Sequence, residues 1–171
     1  MELFTTLITA LLLSVSPIFA QKTGTGIGDK APELSYKNPN GELMSLSELK
    51  GKVVIIDFWA SWCGPCRREN PHVAALYKKY NKTQFKNGNG LAIYSVSLDT
   101  KKSSWMKAMN DDKLYWEHHV SGLKGWNSAG AAIYGVRSIP QTFIIDGKGI
   151  IIAKNLRGKE LDDFFNRIKT K

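Results

Sequence analysis

Cysteine is almost absent from this chain: its 171 residues hold two, Cys63 and Cys66. A disulfide framework of the kind that staples small secreted domains is thereby excluded. Histidine is scarce too. A structural zinc ion held by both thiolates would need two more ligands, and the three histidines are His72, His118 and His119. His118 and His119 are adjacent, and adjacent side chains of a strand point to opposite faces, which speaks against a shared metal. The sequence has no internal repeat and no low-complexity tract, and no second long apolar run follows the first twenty residues. Acidic residues are outnumbered, giving a net charge of +9. The cations are scattered in pairs such as Arg67-Arg68, Lys78-Lys79 and Lys101-Lys102. Such a distribution reads as a solvated basic surface rather than a nucleic-acid-binding stripe.

The first twenty residues differ from the rest. Leu7 to Val15 is a short apolar run, and Ser16-Pro17-Ile18-Phe19-Ala20 brings a small residue to the position before Gln21. This is the pattern of a signal peptide over residues 1–20, although the segment carries Glu2 and no Lys or Arg. The run is short for a membrane span, so cleavage is favoured over an uncleaved anchor. Loss of Glu2 takes the net charge from +9 to +10. The segment holds no cysteine, so no lipid anchor is expected. Export places the chain in an oxidising compartment, where an isolated cysteine pair stays a disulfide unless something reduces it.

Residues 21–30 read as a Gly-rich extended lead-in, and 31–171 as one α/β domain. Leu34-Ser35-Tyr36 and Glu42-Leu43-Met44 flank Asn38-Pro39-Asn40-Gly41, a hairpin signal. Ser45 to Leu49 forms a helical turn stopped at Gly51. Lys52 to Trp59 and Leu91 to Leu98 are near-continuous apolar strands, as expected where both sheet faces are covered. A helix starts after Cys63, with Pro65 in its first turn and Pro71 inside it as a kink. Further helices are expected from Ser104, over Asn127–Tyr134, and at the end of the chain, where Leu161, Phe164, Phe165 and Ile168 recur. Thr142–Ile145 and Ile150–Ala153 pair about Asp146-Gly147-Lys148-Gly149. Trp59 is assigned to the core, and Trp105, Trp116 and Trp126 to the core or the insert.

Two residues between cysteines close a loop too short to stabilise a fold much by chain entropy, so Cys63-Gly64-Pro65-Cys66 suits reversible chemistry. Asp57-Phe58-Trp59-Ala60-Ser61-Trp62-Cys63-Gly64-Pro65-Cys66 closely resembles the active-site stretch of thioredoxins. Ser138-Ile139-Pro140-Gln141-Thr142-Phe143 resembles the thioredoxin segment that carries a cis-proline. The lead-in Gly28-Asp29-Lys30-Ala31-Pro32, the run Glu69-Asn70-Pro71 and the long stretch between Leu98 and Asn127 resemble the exported TlpA/ResA-like branch.

The resemblance implies a thioredoxin fold: a central mixed β-sheet flanked by helices, with an N-terminal hairpin and an extra helix–strand insert. It implies a bacterial, periplasmic or otherwise extracytoplasmic thiol-disulfide oxidoreductase that needs no cofactor. Its partners would be disulfide-containing client proteins, with apocytochrome c the best-known type, and a membrane-linked thiol electron donor. Cys63, at a helix N-terminus that favours the thiolate, is the expected nucleophile, and Cys66 the resolving cysteine. Asp57, a carboxylate in an apolar strand, is the expected proton shuttle. Glu69 matches an acidic residue of the ResA-like site. Trp62, Gly64 and Pro65 line the docking surface, with Gly64-Pro65 of the type that accompanies reducing members. Ile139-Pro140, with a cis bond, presents backbone to a substrate strand. Alternatives are a thiol oxidant or isomerase, a non-catalytic binding module, and a peroxiredoxin-like peroxidase. The last expects Pro and Thr or Ser where Ile56 and Ala60 stand.

Overall fold

A computed structural model of the chain describes residues 21–170. The expected signal peptide lies outside the described residues. The order of elements is β1 (Ser35–Lys37), β2 (Leu43–Ser45), a 3-10 turn (Leu46–Leu49), β3 (Val53–Trp59), α1 (Gly64–Tyr80), β4 (Gln84–Phe85), β5 (Gly88–Asn89) and β6 (Leu91–Ser97). Then come α2 (Lys102–Asp111), β7 (His119–Ser121), a 3-10 turn (Gly125–Asn127), α3 (Ala129–Ile133), β8 (Gln141–Ile145), β9 (Ile151–Lys154) and α4 (Gly158–Ile168).

Seven strands form one mixed sheet in the order β2-β1-β7-β6-β3-β8-β9. β3 runs parallel to β6 and antiparallel to β8. Every residue of β3 and β6 is buried, which explains why both read as unbroken apolar runs: neither strand has a face left for water. α1 is the crossover that parallel β3 and β6 require. Pro71 sits inside α1 without ending it, although it has no N–H to give the Arg67 carbonyl.

α4 lays Leu161, Phe164 and Phe165 inward and packs beside α1. Tyr80, Phe85 and Phe165 meet there with ring centroids 5.6–6.0 Å apart. Behind β3, Phe58, Tyr134 and Phe143 form a second aromatic group. The insert supplies α2 and β7. Its strand extends the sheet beside β6, and α2 buries Trp105 and Ala108.

Three details differ from the sequence expectation. The stretch before β6 is itself a small hairpin, β4–β5, where a plain connection is expected. The expected Asn127–Tyr134 helix shortens to α3, whose N-cap is Ser128, with a 3-10 turn before it. The lead-in is tied to an edge: Gly28 donates to the Ile151 carbonyl, and Ile151 donates back to Asp29.

Candidate active site

The loop Ala60–Trp62 leaves the end of β3 and delivers Cys63 to the start of α1. Cys63 is the N-cap residue, with extended backbone, and its Sγ accepts the Cys66 N–H at 3.2 Å. Cys63 and Cys66 are joined as a disulfide, S–S 2.02 Å. A sulfur at this position receives a helix N–H and faces the positive end of the macrodipole, both of which favour a thiolate. Trp62, Gly64 and Pro65 are exposed around it; both sulfur residues are largely covered, Cys63 at 5% and Cys66 at 1% exposure, with Cys63 the more open of the two. An incoming sulfur therefore meets Cys63 first.

Behind Cys66 lies a cavity of about 20 Å³, the scale of a single water. Asp57, Glu69, Pro140, Thr142 and Arg157 line it together with Cys66. Asp57 projects from β3 opposite Thr142 of β8, whose buried hydroxyl has no hydrogen-bond partner among the described residues. Burial pushes the Asp57 carboxyl up to about 7. The Glu69 charge adds to the rise, and Arg157 opposes it. A carboxyl poised near neutrality beside the inner sulfur can exchange a proton with it.

Glu69 reaches across from α1 to accept the Gly158 N–H at 2.9 Å. The N-cap residue of α4 is Arg157, whose side chain makes no capping hydrogen bond, so Glu69 satisfies one of the orphan donors. Arg157 in turn donates to the Pro140 carbonyl. The Ile139–Pro140 bond is cis, Pro140 is buried, and Ile139 is half-buried at the rim.

A polar clamp, absent from the sequence reading, holds the loop that carries Cys63. Buried Asp99, just past β6, accepts the Ser61 N–H at 2.9 Å, the Ser61 hydroxyl, and the Ser97 hydroxyl at 2.7 Å. Arg67 donates to the Ser61 carbonyl at 3.2 Å. Asp112, at the C-terminus of α2, grips Arg67 with both oxygens at 2.5 and 2.8 Å and also accepts from Asn70. Every polar group of Ser61 is thus engaged two residues before Cys63. The one signal in the sequence was an acidic residue at the end of an apolar strand.

The structure brings Cys63, Cys66, Asp57, Glu69, Trp62, Gly64, Pro65, Ile139 and Pro140 to one end of the sheet. Trp126 is an insert residue on the surface, not in the core. It is 50% exposed and pairs with Trp62, ring centroids 6.2 Å apart, because the turn at 125–127 runs over the surface beside the Cys63 loop. Trp59, Trp105 and Trp116 are buried as expected.

Residues 27–154 match the AhpC/TSA family. The chain belongs to this thioredoxin-like family. It is 35% identical over 133 residues to the thioredoxin-like protein YneN of Bacillus subtilis, covering 77% of this chain and 72% of YneN. It is 31% identical over 155 residues to the thiol-disulfide oxidoreductase ResA of the same organism, covering 89% and 81%. The thioredoxin domain of a thiol-disulfide oxidoreductase from Bacteroides vulgatus superposes with a TM-score of 0.74 at 32% identity, over 83% of this chain and 96% of that one. The family member described here is a thiol-disulfide oxidoreductase with a Cys-x-x-Cys pair.

Proposed function

We propose that this protein works outside the cytoplasm as a reductant of disulfides in client proteins. The observation that carries this reading is the placement of Cys63 Sγ on the N-terminus of α1 while buried Cys66 shares a small cavity with Asp57. In the reduced protein, the Cys63 thiolate attacks one sulfur of a client disulfide. A Cys63–client S–S bond forms, the client S–S bond breaks, and the departing client sulfur leaves as a thiolate. Asp57 takes the proton of the Cys66 thiol. The Cys66 thiolate then attacks Cys63 Sγ, re-forming the intramolecular disulfide and releasing the second client thiolate. Two electrons pass from the protein to the client.

A membrane-linked thiol donor must return those electrons, since the compartment implied by the leader-like N-terminus does not. Gly64-Pro65 between the cysteines supports the reducing direction by family resemblance, and apocytochrome c is the client type that the resemblance suggests. The peroxidase alternative draws on the AhpC/TSA match. Ile56 and Ala60, both buried and apolar, stand where a peroxidatic cysteine's Pro and Thr or Ser would lie.

Replacing Cys66 by Ser should leave attack intact and abolish release. Cells expressing Cys66→Ser are expected to accumulate mixed disulfides between Cys63 and clients, absent from the double variant lacking both thiols. No Cys63-dependent adduct would contradict the proposal.

A further inference from the structure

Trp62 is 55% exposed and Trp126 is 50% exposed, beside each other and next to the reactive cysteine. Two half-exposed indoles in contact form an apolar surface that gains from being covered by a partner. Trp126 comes from the insert, so it is no part of the Cys-bearing loop. Its turn is anchored: Gly125 is buried with φ +56, and buried Ser128 shares a hydrogen bond with the Tyr36 hydroxyl at 3.1 Å. The surface therefore needs little ordering before it can bind.

A cation lies beside the cysteine pair. Arg68 Nη1 lies 3.5 Å from where a Cβ on Gly64 would stand, so the guanidinium covers the glycine between the two cysteines. Among the described residues Arg68 has no acidic partner, and neither does exposed Arg137, two residues before Ile139. Asp112 is ion-paired with Arg67, and Asp99 and Glu69 keep their charge but spend their oxygens on Ser61 and Gly158, so none of the three pairs with Arg68. Positive charge on this rim is left for a partner to meet.

We propose that this face selects client segments carrying two features close to the reacting cysteine. One is an aromatic side chain that packs on Trp62 and Trp126; the other is an acidic side chain that meets Arg68. The inference rests on the protein-client reading above and adds which client disulfides react fastest.

Four synthetic peptides test it, each closed by one intramolecular disulfide and differing only beside one cysteine: Phe or Ala at one position, Asp or Lys at another. The readout is the second-order rate constant for oxidation of the prereduced protein, followed by mass spectrometry of acid-quenched samples. The Phe peptides are expected to react roughly three- to tenfold faster than their Ala counterparts, the range of one aromatic contact. Asp over Lys should give about two- to fivefold at low salt, shrinking as salt rises. Trp126→Ala is expected to erase the aromatic preference, and Trp126→Phe to keep most of it. Arg68→Glu should reverse the charge preference. Tyr115→Ala, which removes an exposed aromatic outside this cluster, should keep both preferences. Equal rates for all four peptides, or an aromatic preference that survives Trp126→Ala, would overturn the inference. If the protein reacted with 5,5′-dithiobis(2-nitrobenzoate) but with none of the peptides, the client reading itself would fall.

Discussion

Asp57 carries opposite meanings for stability and for chemistry. Its carboxyl rises from 3.8 to about 7 on folding, chiefly because it is buried. The unfolded chain loses this proton first as pH rises, so stability falls between about pH 4 and 7. Asp57→Asn removes that cost. At pH 8 the variant is expected to be more stable than the parent by on the order of 3 kcal/mol, with the difference vanishing below pH 4 in urea titrations. The same variant should release mixed disulfides more slowly. Glu69 contributes to the rise through its charge and caps α4 through its oxygen. Glu69→Gln keeps an oxygen for Gly158 and loses the charge, so the Asp57 carboxyl should titrate at lower pH by NMR. His119 has the reverse sign. Burial drives its ring down to about 3, against a gain from the hydrogen bond to the Leu114 carbonyl. The unfolded ring protonates below about 6.5 while the folded one stays neutral, so its contribution is present above that pH and lost on acidification. His119→Phe, which keeps a ring to stack on Trp116, should flatten the stability profile between pH 6.5 and 4.

Among the elements, the junction of β3 and α1 was legible from sequence because its signals are local. An apolar strand, a Cys at an N-cap and a Pro in the first turn fall within fifteen consecutive residues. The insert's role was not legible. α2 reads as a separate amphipathic piece, yet Asp112, the residue that ends it, grips Arg67 from 45 positions away, and Asp99 holds Ser61 from 38. Polar pairing at such separations leaves no periodicity. For the same reason the sequence leaves Trp126 open between core and insert: only the path of the turn puts it in water. Asp112→Ala should cost about 1–2 kcal/mol, because the half-exposed Arg67 guanidinium loses a bidentate partner. It should also loosen the Cys63 loop, seen as faster amide exchange at Ser61 and Trp62. Gly130→Ala belongs at this scale too. A Cβ there would stand 2.8 Å from both Leu34 Cδ2 and the Tyr36 hydroxyl, so overpacking of α3 on β1 should cost about 1–3 kcal/mol.

For the whole molecule, the sheet serves to bring two carboxylates, a proline wall and a helix terminus around one disulfide. The reducing direction is the claim that the rest of the account depends on: a dithiol that donates electrons in an oxidising compartment must hold its disulfide form as the favoured one. The reduction potential of the Cys63–Cys66 couple, measured by equilibration with dithiothreitol or glutathione buffers at pH 7, tests this most directly. A value near that of thioredoxin, about −270 mV, is expected. Since 30 mV corresponds to about 1.4 kcal/mol for a two-electron couple, the distinction from an oxidant is several kcal/mol wide. A value near −120 mV, the range of a strong thiol oxidant, would contradict the reducing role.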